Sequence, residues 1–503
     1  MGATVNEKDR EVIPRWREFR EALRHGELEG TYADSSERGI DQALIVRRRK
    51  EWDANRTAPF AGELLSAGLV LGEHEEAQDA AEFFINEAAP ANSIVERVAH
   101  TVLQKGASGE RQKETLLFEV VPEQVRKQIR VLRTNLREDP RNSFWWVDLA
   151  RSYTILGHSP RAQRAMEMAL TLAPENRFVL RSATRMFLHE GDEERAWAVA
   201  RSATDSGDPW LLAAEIATAG TLGKSPRSVR HGRLALSNDA FSPYHVTELA
   251  SAIATLELKN GKVRAARKLF ARSLMAPTEN ALAQAEWALP QISTLAMPEG
   301  VEQIAGAHEA RFTELRRKGD WTQAIVEVQQ WLWDQPFSSW PAMHGSYVAT
   351  LCLEDFELGA RLAQFGLNAS PGDPTLLNNL AVALANLGSV DEAWESYRKI
   401  DTTSFDERSR IVHLATEGLL AFKEGDAVRG RARYEEAIRC GQREREHKLA
   451  ALASMYLARH LLERGEPDGF KLAKAASHLT RDLKDPDLVT AAKSLQALVD
   501  APR

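Results

Sequence analysis

The sequence predicts an all-α protein, an α-α superhelix of roughly ten to twelve stacked helix pairs, some of them degenerate, ending in a C-terminal capping helix. Three observations carry this expectation. Pro140 and Pro174 stand 34 residues apart and Pro209 lies one residue past the next such step, so chain breaks recur in one phase. Between these prolines, apolar residues fall at helical spacing in two successive stripes divided by a glycine. Finally, 503 residues, 43% hydrophobic and 27% charged, are too many for one core but suited to a folded array.

The elements follow in chain order. Residues 1–59 hold two helical patterns, about 13–25 and 37–54, around the polar GELEGTYADSSERG. Two readings fit them, an N-terminal helical cap and a small partner-binding element. A first superhelix spans 60–279, opening with a degenerate copy at 60–90 (Gly72, Ala77, Ala81, Pro90) and interrupted by GASGERQ at 106–112. In EQVRKQIRVLRTNLRE, Val125, Ile129, Leu132 and Leu136 form an apolar stripe, with Arg126, Arg130, Arg133 and Arg137 one position on. The clearest unit begins at Asn142, where Trp146, Leu149, Ala150 and Tyr153 share a face, Gly157 ends the helix, and Ala162, Met166 and Ala169 build the next. The same frame recurs with Leu180, Ala183, Phe187, Gly191, Ala196 and Ala200, and more weakly at 243–278. Pro290, Pro298 and Gly300 break periodicity in an irregular junction at 280–304. A second superhelix over 305–484 carries copies around Gly319, Gly388 and Gly425, and 485–503 reads as the cap.

These units resemble the tetratricopeptide repeat (TPR). Trp146, Leu149, Ala150, Tyr153, Gly157, Ala162, Met166, Ala169 and Pro174 occupy the signature positions of one unit. The resemblance implies an interaction scaffold whose ligands contact the first helix of each pair. Carried over residue by residue, it points to Phe144, Val147, Asp148 and Arg151 in one unit and Phe178, Arg181, Ser182 and Arg185 in the next. Asn378 and Asn379 stand where chaperone-tail-binding members carry asparagine, but Gly345 and Ala349 replace the clamp residues expected before them. The peptide-binding candidates are therefore Phe144, Arg151, Phe178, Arg181, Arg185 and Asn379. Arginine forks beside aromatic faces suit an acidic peptide or a terminal carboxylate; solvated arginines are the alternative.

Catalytic signatures are missing. The 13 histidines give no HExxH and no ligand-spaced pair with a third partner, and no GxSxG, CxxC or GxGxxG occurs. TAGTLGKS (218–225) lacks the first glycine of a phosphate loop and reads as a turn between helices, and His189, Glu190 and Asp192 read as a helix cap. Four tryptophans, Trp321, Trp331, Trp333 and Trp340, suit packing or an aromatic ligand surface. No cofactor, metal or enzymatic activity is expected. Cys352 and Cys440 form no disulfide framework, no apolar run reaches the ~20 residues of a membrane span, and Asn6 spoils a Gly2 myristoylation motif. These features read as cytoplasmic.

The net charge of −7 resolves by region: residues 1–120 carry −7, 121–275 carry +8 and 276–503 carry −8. The basic block coincides with the best-formed repeats and favours an acidic protein partner. The expected function is a protein-interaction scaffold or adaptor. A regulatory subunit controlling an effector enzyme and a nucleic-acid-binding repeat protein are the alternatives.

Overall fold

The structure, a computed structural model, describes residues 10–19, 42–71, 75–86, 99, 110–202, 207–237, 241–298, 304, 306–403, 405–483 and 485–500. Gly2, the GELEGTYADSSERG linker, Gly72, Pro90 and most of the 106–112 interruption lie outside the described residues, as does Gly300. Twenty-four α-helices and no strand occur among the described residues. The chain divides into two units, one of residues 30–121 and one of residues 1–29 with 122–503.

In the smaller unit α1 (Gln42–Ala54), α2 (Ala58–Leu71) and α3 (Gln78–Asn86) enclose Trp52, Leu64, Leu65, Ala77, Ala80 and Ala81. Asp79 organises this core, accepting from the indole Nε1 of Trp52 at 3.0 Å and from both arms of Arg49.

The larger unit, which also contains residues 1–29, resumes within α4 (Glu110–Glu138), at Pro122. Helix pairs then follow: α5 (Ser143–Ile155) with α6 (Ser159–Leu172), α7 (Arg177–His189) with α8 (Glu193–Ser202), α9 (Pro209–Thr221) with α10 (Val229–Ser237), and α11 (Thr247–Lys259) with α12 (Val263–Ser273). The caps repeat with the frame. Asn142, Asn176 and Asp208 each accept from backbone N–H groups of the first turn, satisfying donors a helix cannot pair internally. Gly157, Gly191, Gly223 and Gly261 turn each pair with positive φ. The 218–225 stretch is such a turn: Thr218 is buried and bonded to Ala214 O, and Lys224 pairs with Glu194. Asp192 accepts from Arg195 N and so caps α8.

α13 (Glu279–Ala288) has no second helix; after the short 3-10 turn Leu289–Gln291, Ile292 and Leu295 bury their side chains against the core formed by Phe270, Leu282 and Trp287. Pairing resumes with α14 (His308–Lys318) and α15 (Trp321–Asp334), α16 (Ser339–Leu351) and α17 (Phe356–Ala369), α18 (Pro374–Leu387) and α19 (Val390–Arg398), α20 (Glu407–Glu424) and α21 (Ala427–Arg443), and α22 (His447–Glu463) and α23 (Asp468–Leu483). α24 (Pro486–Asp500) follows. Trp331 and Trp321 pack inside, Trp340 lies against His344 and Trp333 is exposed.

The stack curls back on itself. His189 sits edge-on to Phe337 at 5.7 Å, Arg185 donates to Ser338 Oγ, and the α5–α6 turn reaches α17. Further along, α24 returns to α14, with Trp321 Nε1 donating to Thr490 Oγ1 at 3.0 Å.

The helix expected over 13–25 is not formed in its first part. Residues 10–18 are non-helical, with Ile13 N donating to Glu11 O at 2.9 Å, and helical geometry begins at Phe19, the last residue described there.

Candidate functional site

The stretch Arg10–Phe19, non-helical up to residue 18, lies in the groove enclosed by the inner helices of the larger unit. Val12 and Trp16 are fully buried and Arg17 is 2% exposed, figures of a core rather than a tail. Its backbone is held at every third residue. Gln284 Nε2 donates to Arg10 O at 2.8 Å, Asn280 Nδ2 to Ile13 O at 2.9 Å, and Arg151 Nε to Trp16 O at 3.2 Å. Phe19 N donates to Asp148 Oδ1 at 3.0 Å.

Side chains fill the rest. Arg17 forks onto Asp334 with bonds of 2.9 and 3.0 Å and reaches Glu279 Oε1 at 2.7 Å. Arg10 and Arg15 converge on Glu309. Glu11 pairs with Lys259 beside Gly220, where a Cβ would come within 2.5 Å of Glu11 Oε1; glycine there makes the space the carboxylate occupies. Trp16 packs on Phe337 with ring centroids 5.2 Å apart, and Phe19 stacks on Phe144 at 4.0 Å and meets the edge of Phe178.

The electrostatics follow from this enclosure. Burial alone would raise the Glu309 and Asp334 carboxyls. The guanidinium groups of Arg10 and Arg15 outweigh burial at Glu309 and hold it well below the usual carboxylate range, and Arg17 lowers Asp334. Both are anions docked on buried cations. On the opposite wall, burial and then the charge of Arg15 bring Arg185 down to about 10.

Each sequence candidate has a definite place. Phe144 and Phe178 hold Phe19, and Arg151 binds Trp16 O and approaches Glu18 at 3.4 Å. Arg181 bonds Glu248 Oε2 at 2.9 Å and lies over the Trp210 ring. Arg185 lies over Phe337. Asn379 is 1% exposed in the packing of α16 on α18, donating to Met343 O and Ser346 Oγ. The acidic wall of Glu248, Glu279, Glu309 and Asp334 was missed by the sequence reading, as was the occupant. Asn280 and Gln284, one helical turn apart on α13, were the available signal. Cys352 and Cys440 are buried or half-buried, and burial pushes the Cys352 thiol up. Among the described residues, no group of three or more His, Cys, Asp or Glu could hold a metal ion, and no helix is long and apolar enough to cross a membrane.

Paired helices in one frame, capped alike and turned by positive-φ glycines, make this chain a tetratricopeptide-type α-solenoid. No family model and no curated protein matches the sequence. Solved structures similar to it include a chain of the APC/C hetero-tetramer Cut9-Hcn1, with 13% identity, 96% of this chain and 95% of that one covered and a TM-score of 0.41. The human IFIT1 dimer with PPP-AAAA gives 13% identity, 92% and 95% coverage and a TM-score of 0.32. The TPR domain of P58(IPK) gives 15% identity, 73% and 99% coverage and a TM-score of 0.24. At such identities the likeness concerns the fold alone.

Proposed function

We propose that this protein is a non-enzymatic interaction scaffold whose groove binds a partner segment of arginine and aromatic residues, with Arg10–Phe19 as its resident occupant. One observation carries the reading: side chains of the groove grip the backbone of that segment at residues 10, 13, 16 and 19. Backbone bonds supply affinity for any such segment, and pockets for side chains supply specificity. Those pockets take Trp16, Phe19 and three arginines. The arginine wall of 151, 181 and 185 is engaged by Glu18, Glu248 and Phe337, so an acidic ligand, the partner favoured by the charge count, finds its receptors here already committed.

The test uses the full chain and a labelled peptide with the sequence of residues 10–19. In a Trp16→Ala/Arg17→Glu variant the resident segment is loosened and the groove open for a larger fraction of the time. The peptide then binds this variant at least about tenfold more tightly than the unmodified chain, because apparent affinity scales with the competent fraction. Adding Glu309→Arg abolishes the gain. Equal binding to variant and unmodified chain would refute the reading.

A further inference from the structure

On the far side of α5 from the groove, the structure contains a cleft of about 590 Å³ that the groove does not use. Arg133 and Arg137 from α4 face Arg161 and Arg164 from α6 across it, and no carboxylate lines it. All four arginines are exposed, and none has an ion pair among the described residues. What sets these four apart is their convergence on one concavity, whereas Arg195 pairs with Glu167 on the same helical layer. Four like charges around one concavity repel one another, and an anionic occupant relieves that repulsion.

We propose that this cleft is a second binding site, for an acidic segment of a partner protein that carries an apolar side chain. The floor argues for a peptide. Met168 is 42% exposed at its edge, above the buried Leu136, Leu149 and Ala165, and its apolar side chain is one that an aliphatic side chain covers and a phosphate backbone does not. The rings are poorly placed for base stacking. Tyr153 is buried beneath the Arg161 guanidinium, 5.8 Å from its centroid, and Trp146 spends its indole N–H on Pro140 O at 2.9 Å. Guanidinium forks that are already exposed and unpaired bind carboxylates without first breaking internal ion pairs. The site is therefore where the +8 block meets an acidic partner, on the outer face.

The experiment is fluorescence anisotropy with the full chain, using a labelled glutamate–leucine peptide and, in parallel, a labelled single-stranded oligodeoxythymidylate. The peptide binds at low salt and weakens as salt rises. Arg161→Glu/Arg164→Glu lowers its affinity by about tenfold or more, a loss of roughly 1.4 kcal/mol, with the melting temperature unchanged. Arg230→Glu/Arg264→Glu, a charge reversal of equal size on α10 and α12, leaves binding near the unmodified value. Equal losses in both double reversals would overturn the site by reducing it to net charge. Tighter binding of the oligonucleotide than of the peptide, lost in Arg161→Glu/Arg164→Glu, would overturn the peptide assignment. Self-association of the chain that the same variant abolishes would overturn it in favour of a second copy.

Discussion

His189 sits where the stack closes, edge-on to Phe337 and hydrogen-bonded to the backbone of Ala369. Burial and then the neighbouring Arg185 charge lower its pKa from 6.5 to about 4. A base whose folded pKa is depressed stabilises the fold while neutral. Its contribution is complete above the unfolded pKa of about 6.5 and is lost as pH falls from there toward 4, by up to about 3 kcal/mol. Melting temperature therefore drops between pH 7 and pH 5, and His189→Phe, which keeps the ring and removes the titration, flattens that part of the profile. An unchanged slope in the variant would assign the acid sensitivity elsewhere. The sequence showed this residue only as one of three polar groups at a turn. Asp192 is the cap the sequence suggested, whereas the surroundings of His189 come from residues 337 and 369 and no local pattern contains them.

Among the elements, the first turn of α24 is anchored by one carboxylate. Asp487, 1% exposed in its first turn, accepts from Arg316 at 2.8 Å, Lys448 at 2.7 Å and Tyr347 Oη at 3.0 Å, which join α14, α22 and α16. Burial would raise this carboxyl, but Arg316 and Lys448 hold it well below the usual range. Asp487→Ala leaves both cations without this partner and costs about 3 kcal/mol, measured as an earlier urea transition. A midpoint within error of the unmodified chain would show the cluster to be neutral in energy. The helix pairs themselves were legible because their causes are local: apolar stripes at 3.6-residue spacing, caps at Asn142, Asn176 and Asp208, and glycines at the turns. Residues 10–19 were not. Val12, Trp16 and Phe19 stand at i, i+4 and i+7 and Pro14 suits a first helical turn, so the stretch imitates an amphipathic helix. A non-helical chain enclosed on every side buries whatever it carries, and periodicity then reports nothing about its backbone.

Across the larger unit, curvature is set at points of close approach. A Cβ on Gly157 would lie 2.5 Å from Asn368 O, whereas one on Gly191 meets nothing within 4 Å, and both glycines have positive φ. Gly191→Ala costs only the left-handed backbone, about 1 kcal/mol, while Gly157→Ala adds displacement of α17 and costs roughly twice that or more. Thermal melts of the two variants separate the terms, and equal losses would show that the α5–α17 contact carries no strain. Phe144, Arg151, Phe178, Arg181 and Arg185 lie on the first helices of their pairs, α5 and α7. Glu279, Glu309 and Asp334 face them from helices 94 to 190 residues further along the chain, which counting charges by block could not reveal.

The segment in the groove also fixes an order of events. Arg17 and Asp334, its bidentate partner, are 317 residues apart in the chain. During synthesis residues 10–19 leave the ribosome long before the last wall of their enclosure has been made, while helix pairs, whose contacts are local, fold as they appear. A stretch made early is thus among the last to be seated, and any protein that meets the nascent chain finds Trp16 and its flanking arginines still on offer.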